Sequence, residues 1–470
     1  MRIRSLSLAC ALFAAIIVGP SRASAAPPPG AISDNVEYVA TIPEMRTAIA
    51  INFIDDTMFV STTTGLFSYD VSDPTIPELI GALPMYIWEN EDMDVDPVRE
   101  RVFISRDPRG FTSPVTPGAF FPYGAVHIID VSNPAAMAQV GFFTVPAGHT
   151  STCVNDCDFL WTGGPYANAQ TQGDWTGRPI FATDVRDPLN PVPCPEPIDV
   201  ERNDGVTDYA HDVQVDEQGV AWVAGAGGVR GYWTEGEHLN PLTGEIETAT
   251  ACAPIPAAGG GSPEEATPSR FMHNSWRDVD ATIPGGDDPE TPGDDTSGQV
   301  LYATEENLSS NCATSGRFTT YDLRGSWNGQ GWRDIAETRF RLRALDTWTP
   351  EEQEGADGCA SAHYLDDRGD GVLAYAFYGQ GTRFLDVSDP QDIRQIGYFR
   401  PDDANTWAPY WRKVGEEWFV FIADNARGVD IVRFTDGSGS APTVAPPALA
   451  GRAPSLEMDA ELGYLCPLSP

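Results

Sequence analysis

Lysine is almost missing from this chain: of its 29 basic residues only Lys413 is not arginine. Against those 29 stand 68 Asp and Glu, giving a formal net charge of −39. So acidic a chain is repelled by phosphate backbones and by anionic lipid surfaces, which excludes nucleic acid as a partner. Long apolar runs are also lacking. Past the first thirty residues nothing approaches the ~20 residues of a spanning helix, so no transmembrane segment is expected. The common catalytic signatures are absent as well: no Walker loop, no H-E-x-x-H and no G-x-S-x-G. Gly225-Ala226-Gly227-Gly228 follows one strand and leads into another, which does not suit a dinucleotide site. With 68 carboxylates, paired acids carry no glycosidase specificity.

What is present points to a β-rich fold. The 470 residues are 41% hydrophobic and 10% aromatic, enough for a large core. Gly 45 and Pro 40 imply many turns and short elements, which favours strands over helices. Residues 1–25 read as a signal peptide. Arg2 and Arg4 precede an apolar stretch from Leu6 to Val18, and Ala23-Ser24-Ala25 offers a cleavage site. The mature protein is therefore expected to be secreted, periplasmic or at the cell surface, and monomeric.

Cysteine usage fits an oxidising compartment. Cys153 and Cys157 flank Val154-Asn155-Asp156, where Asn-Asp can turn tightly, so a Cys153–Cys157 disulfide is expected. Cys252 and Cys312 flank the same long insertion and are the second expected pair. Cys194, Cys359 and Cys466 are left unassigned.

One phrase recurs. Phe67-Ser68-Tyr69-Asp70-Val71-Ser72-Asp73-Pro74 returns at 127–134, at 181–188 and at 383–390, with a worn copy at 319–324. Each is a strand that ends in Asx-Pro turn chemistry, with a short strand after it and two strands before it. Four strands per repeat is the sequence sign of a β-propeller. Counting first strands gives seven, near Thr47, Glu91, His149, His211, His273, His363 and Tyr410. The seventh unit lacks a fourth strand, which Asn35–Ala40 is expected to supply, closing the ring. The expected fold is all-β: a seven-bladed propeller over residues 35–434 with a Pro/Ala/Ser-rich tail at 435–470. The copies Ile128–Pro134 and Phe384–Pro390 resemble the LVIVD-repeat family of exported bacterial β-propeller proteins. That resemblance implies the fold and leaves the chemistry open. The acidic stretch 281–299 reads as a solvated loop, since calcium-loop ligand spacing is missing.

Histidine is scarce, six in all, yet four share one register: His149, His211, His273 and His363 each open the first strand of a repeat. First strands line a propeller's channel side by side, so equivalent positions form a ring. Four imidazoles with no thiolate among them suit copper or iron. In that reading Glu91 and Glu305 are acid/base or supporting groups, and Tyr410 lines the substrate side. Asp212 and Glu306 are further candidates to orient a histidine. Carotenoid-cleavage oxygenases and methanethiol oxidases are similar in carrying histidines on a propeller, though none of their motifs is matched. The expected function is a metal-dependent oxidoreductase acting on a small-molecule substrate. The alternative is a metal-free scaffold binding a cell-surface protein or glycan. His127 and His238 fall outside the register: His127 is expected on a third strand away from the channel, and His238 in a Gly/Asn/Pro-rich loop.

Overall fold

Each full copy of the repeated phrase folds into the same pair of Asx turns. Asp70, Asp130, Asp184 and Asp386 accept the backbone N–H two residues on, at 2.9–3.1 Å. Asp73, Asn133, Asp187 and Asp389 repeat the bond one step later, at 3.0–3.2 Å. The proline between them fixes the turn, and its carbonyl locks onto the preceding blade. Ser68 Oγ donates to the Pro134 carbonyl at 2.8 Å, and Thr320 Oγ1 donates to that of Pro390 at 2.6 Å. Gly81 must be glycine here, because a Cβ would stand 2.2 Å from the Pro134 oxygen.

These turns join the strands of seven antiparallel blades. The computed structural model describes residues 30–436, apart from 86, 88–89, 108–123, 165–178, 199–208, 227, 241–242, 261–270, 285–297, 307–315, 324–342 and 351–360. The inner strands, in order, are Ala48–Ile54, Met93–Asp96, Thr150–Val154, Tyr209–Val215, Phe271–Asp278, Leu365–Asp367 and Thr406–Val414. Blades one to three are separate four-stranded sheets; blades four and five share one sheet path through the pair Ala226–Phe271. The expected closing strand is present. Val36–Ile42 pairs antiparallel with Gly428–Phe434 and completes blade seven. A second N-terminal strand, Gly30–Ile32, adds a fifth member to blade six by pairing with Pro401–Phe399.

The core is a set of interfaces between blades rather than one centre. Seven buried apolar clusters each join neighbouring blades. Phe103 and Ile128 of blade two meet Leu160 of blade three, for example, and Trp222 of blade four meets Leu301 of blade five. One charge buried between blades is paired across them: Arg277 Nε lies 2.6 Å from Asp216, which also accepts from Trp222 Nε1 at 2.8 Å.

Two sequence expectations change. Cys153 and Cys157 are bonded, and Asn155, Asp156 and Cys157 all take left-handed φ in the turn between them. Cys252, however, is bonded to Cys194 and not to Cys312. Cys194 follows the outer strand of blade three, and Cys252 precedes the outer strand of blade four. The curvature of the ring brings these edges together, with Cα atoms 5.4 Å apart. Cys312, Cys359, Cys466, the acidic stretch 285–297 and the tail from 437 lie outside the described residues. His238 is not in a loop: it lies on a short hairpin, Glu237–Asn240 with Glu245–Thr248, and stacks on Trp233 at 4.0 Å. No helix among the described residues is long and apolar enough to cross a membrane.

Candidate metal centre

The inner strands share one irregularity, and it builds the site. Close to its start each of several strands places two residues opposite one, which is a β-bulge. In blade four the extra residue is His211, between Ala210 and Asp212. In blade five His273 and Asn274 together oppose Thr304. In blade three His149 N–H bonds the Gly163 carbonyl while Thr150 is also paired with Gly163. In blade six His363 and Tyr364 both bond Ala376. A bulge re-aims its side chain, and here all four imidazoles turn to the axis. Gly164 makes room: at φ +139 it lies against His149, and a Cβ would come within 2.3 Å of the His149 Cβ.

The four imidazoles and Glu91 are buried together, each at most 1% exposed. His149 Nε2 and His211 Nε2 face each other at 2.8 Å. Glu91 Oε1 lies 2.8 Å from His273 Nε2 and 3.1 Å from His363 Nε2, while Oε2 is 3.9 Å from His149 Nε2. Two sets of one carboxylate and two imidazoles result, Glu91 with His273 and His363, and Glu91 with His149 and His211.

The outer nitrogens fix the tautomers. His149 Nδ1–H donates to Asp107 Oδ2 at 2.8 Å, His363 Nδ1–H to the Trp407 carbonyl at 2.8 Å, and His211 Nδ1–H to the His273 carbonyl at 3.3 Å. All three partners only accept, so each neutral ring keeps its lone pair on Nε2, pointing inward. The interior therefore holds three imidazole lone pairs and a carboxylate. Among the described residues Glu91 Oε2 has no hydrogen-bond partner, and His363 Nε2 has only the Glu91 oxygen 3.1 Å away. Burial, reinforced by neighbouring imidazoles, pushes His211 well below its ordinary pKa and His273 down to about 3. Burial also raises Glu91, but His363, His149 and His273 outweigh it and hold the carboxyl well below the usual range. A buried excess of acceptors calls for a cation among them. Donors of a metal at ~2.0–2.1 Å and right angles lie about 2.9 Å apart, close to the spacings seen.

The other sequence-predicted residues are placed as follows. Glu91 stands inside the cluster as a fifth donor rather than as a supporting group. Tyr410 is not at ring level. The bulge residue of blade seven is Trp407, which packs on His363 with centroids 4.0 Å apart; Tyr410 lies three residues further down the channel. In blade one the equivalent residue is Ile49, not Thr47. Glu305 is buried near Arg317, with Nε–Oε2 3.7 Å, and adds to the burial that raises the pKa of Tyr375 in blade six, while Glu306 accepts from Tyr378 OH at 2.5 Å. Among the described residues Asp212 bonds no histidine. It accepts from Asn274 at 2.8 Å, Tyr364 at 3.2 Å, Gln214 at 3.3 Å and Thr150 at 3.4 Å. The carboxylate that does orient an imidazole is Asp107, whose only sequence signal is its place at the end of a second strand. His127 lies on a third strand, bonded to Gln139 at 2.9 Å and away from the axis.

No family model matches the chain, and no curated protein matches it. Among solved structures, a periplasmic gluconolactonase of Pseudomonas aeruginosa aligns at 14% identity and TM-score 0.50, over 85% of this chain and 96% of that one. The extracellular domain of a one-component system from B. thetaiotaomicron aligns at 10% identity and TM-score 0.46, over 85% of this chain and 40% of that one. The first of these likenesses is one of fold alone.

Proposed function

We propose that this chain is an exported metalloprotein of the LVIVD-repeat propellers that holds one iron ion between Glu91 and its four imidazoles and acts as an oxidoreductase on a small molecule. The observation that carries this reading is the convergence of buried donors: His149 Nε2, His211 Nε2, His363 Nε2 and the Glu91 carboxylate point into one space on the axis. One carboxylate with two imidazoles is the donor set of many non-haem iron oxygenases, and it occurs here twice around Glu91. Copper accepts the same imidazoles; the carboxylate favours iron. A bound iron supplies Lewis acidity and one-electron chemistry. The protein's own part is to hold Nε2 inward through Asp107 and two backbone carbonyls, and to keep His211 and His273 neutral by burial. Two disulfides support an oxidising compartment, as does the periplasmic location of the gluconolactonase that shares the propeller fold. Its lactone chemistry is not carried over, since 14% identity aligns no set of reacting groups.

Elemental analysis of mature protein purified without chelators tests the reading. One equivalent of iron is expected. His211→Ala together with His273→Ala should leave the protein metal-free, while His127→Ala should load normally. Protein that takes up neither iron nor copper would leave the scaffold reading in its place.

A further inference from the structure

The residue after each histidine enters a second set of contacts between blades. His149, His211, His273 and His363 are followed by Thr150, Asp212, Asn274 and Tyr364, all of them buried. Asp212 is where these four meet. Its Oδ2 accepts from Asn274 Nδ2 at 2.8 Å and Gln214 Nε2 at 3.3 Å, and its Oδ1 from Tyr364 OH at 3.2 Å and Thr150 Oγ1 at 3.4 Å. One carboxyl thus joins blades three, four, five and six. The hub also reaches the imidazoles themselves: the Tyr364 ring stands edge-on to His273 and to His363, with centroids 5.0 Å apart in both cases.

Strand pairing does little to hold these positions. The ladder register passes over His211 in blade four, and over His273 and Asn274 in blade five. Asn274 N–H turns to the Thr304 hydroxyl at 2.9 Å instead. A bulged residue is left unpaired, so a ligand placed on it needs another anchor. A metal in turn asks its donors to hold their distances to about 0.2 Å. We propose that Asp212 is the positioning residue of the metal centre. Its carboxyl ties the followers of all four histidines together and so sets the spacing of the imidazoles. The inference rests on the metal reading above. The role belongs to the accepting geometry of the side chain and not to its charge.

Iron(II) affinity of the full mature chain, read by competition with a chelator, tests it beside the EPR spectrum of copper(II) placed in the same site. Asp212→Ala should lower the iron affinity by about tenfold or more and change the copper spectrum, because the imidazoles shift. Asp212→Asn should recover most of both. Its Oδ1 still accepts from Asn274 and Gln214, and its NH2 can donate to the hydroxyls of Tyr364 and Thr150. Tyr364→Phe keeps the ring and removes one bond, so its loss of affinity should be smaller and should vanish in the Asp212→Ala background. Parent-like affinity and spectrum in Asp212→Ala would overturn the proposal, as would an Asp212→Asn protein damaged as much as the alanine variant. If Asp212→Ala fails to fold, Tyr364→Phe decides: reduced affinity with an altered spectrum supports the hub, and parent-like values overturn it. A parent protein that takes up no metal sinks the metal reading and this inference with it, whereas a parent and an Asp212→Ala variant that bind equally well sink this inference alone.

Discussion

His149 and His211, 62 residues apart in sequence, present their Nε2 atoms to each other at 2.8 Å, each with Nδ1 committed to an acceptor. Two lone pairs at that distance repel unless a proton or a metal lies between them. The close pair thus marks where positive charge belongs, and Asp107 is the residue that aims one half of it.

Asp107→Asn tests that role. The amide can turn its NH2 toward Nδ1, which favours the wrong tautomer and removes the negative charge behind the ring. Loss of such an orienting carboxylate commonly lowers metal affinity by about 10–100-fold. Competition with a chelator should show a drop of that size, with the melting temperature of the metal-free protein little changed. An unaltered affinity would mean that Asp107 only fills space.

The N-terminal strand carries a second prediction. Val36 and Ile42 are buried against blade seven, and burying two such side chains stabilises by about 3–6 kcal/mol. Deleting residues 36–42 removes that burial and bares the Gly428–Phe434 edge. Aggregation or a clearly lower melting temperature is expected, read by light scattering and thermal unfolding. A shortened protein as stable and monomeric as the parent would defeat the closing role.

A third prediction concerns pH. Burial, with help from Asp278, Asp366 and Asp370, pushes Asp367 up to about 7, against ~3.9 in an unfolded chain. Between those values the folded chain keeps a proton that the unfolded chain has lost. Stability therefore falls as pH rises, and the loss is complete once pH passes about 7. Asp367→Asn cannot ionise and escapes this loss, while Oδ1 can still accept from Gly369 N–H. Relative to the parent it should be more stable at about pH 8 than at about pH 5. Asp278, Asp366 and Asp370 lose a like-charged neighbour in the variant, which adds to its gain at the higher pH, while groups remote from Asp367 cancel. An equal difference at the two pH values would show that Asp367 is already ionised when folded.

The fold was legible because its information is local and repeated. An Asx-Pro turn needs only neighbouring residues, and a period-2 strand shows its buried face in its own alternation. Four copies of Asp-Val-x-Asx-Pro therefore disclosed the blades, and the missing fourth strand of the last unit disclosed the closure by Asn35–Ala40. The histidine register was legible for the same reason: equal positions in equal units meet at the axis. By itself the sequence determined the propeller, the place of its closure and the four imidazoles that converge.

Tertiary structure decided what does not repeat. After its bulge the inner strand of blade seven runs Ala408–Val414, three residues longer than Asp212–Val215 in blade four, so counting back from the second strand reaches Tyr410 instead of Trp407. A bulge adds a residue without disturbing the hydrophobic alternation around it, so its position leaves no mark in the pattern. Glu91 became a fifth donor only when the closed ring set it opposite His273 and His363. Cys194 and Cys252 met because the ring curves one blade's outer edge onto the next, while spacing along the chain gave Cys252 another partner. Asp107 reached His149 through a contact between neighbouring blades. These pairings depend on distances across the ring, and such distances exist only once all seven blades have closed.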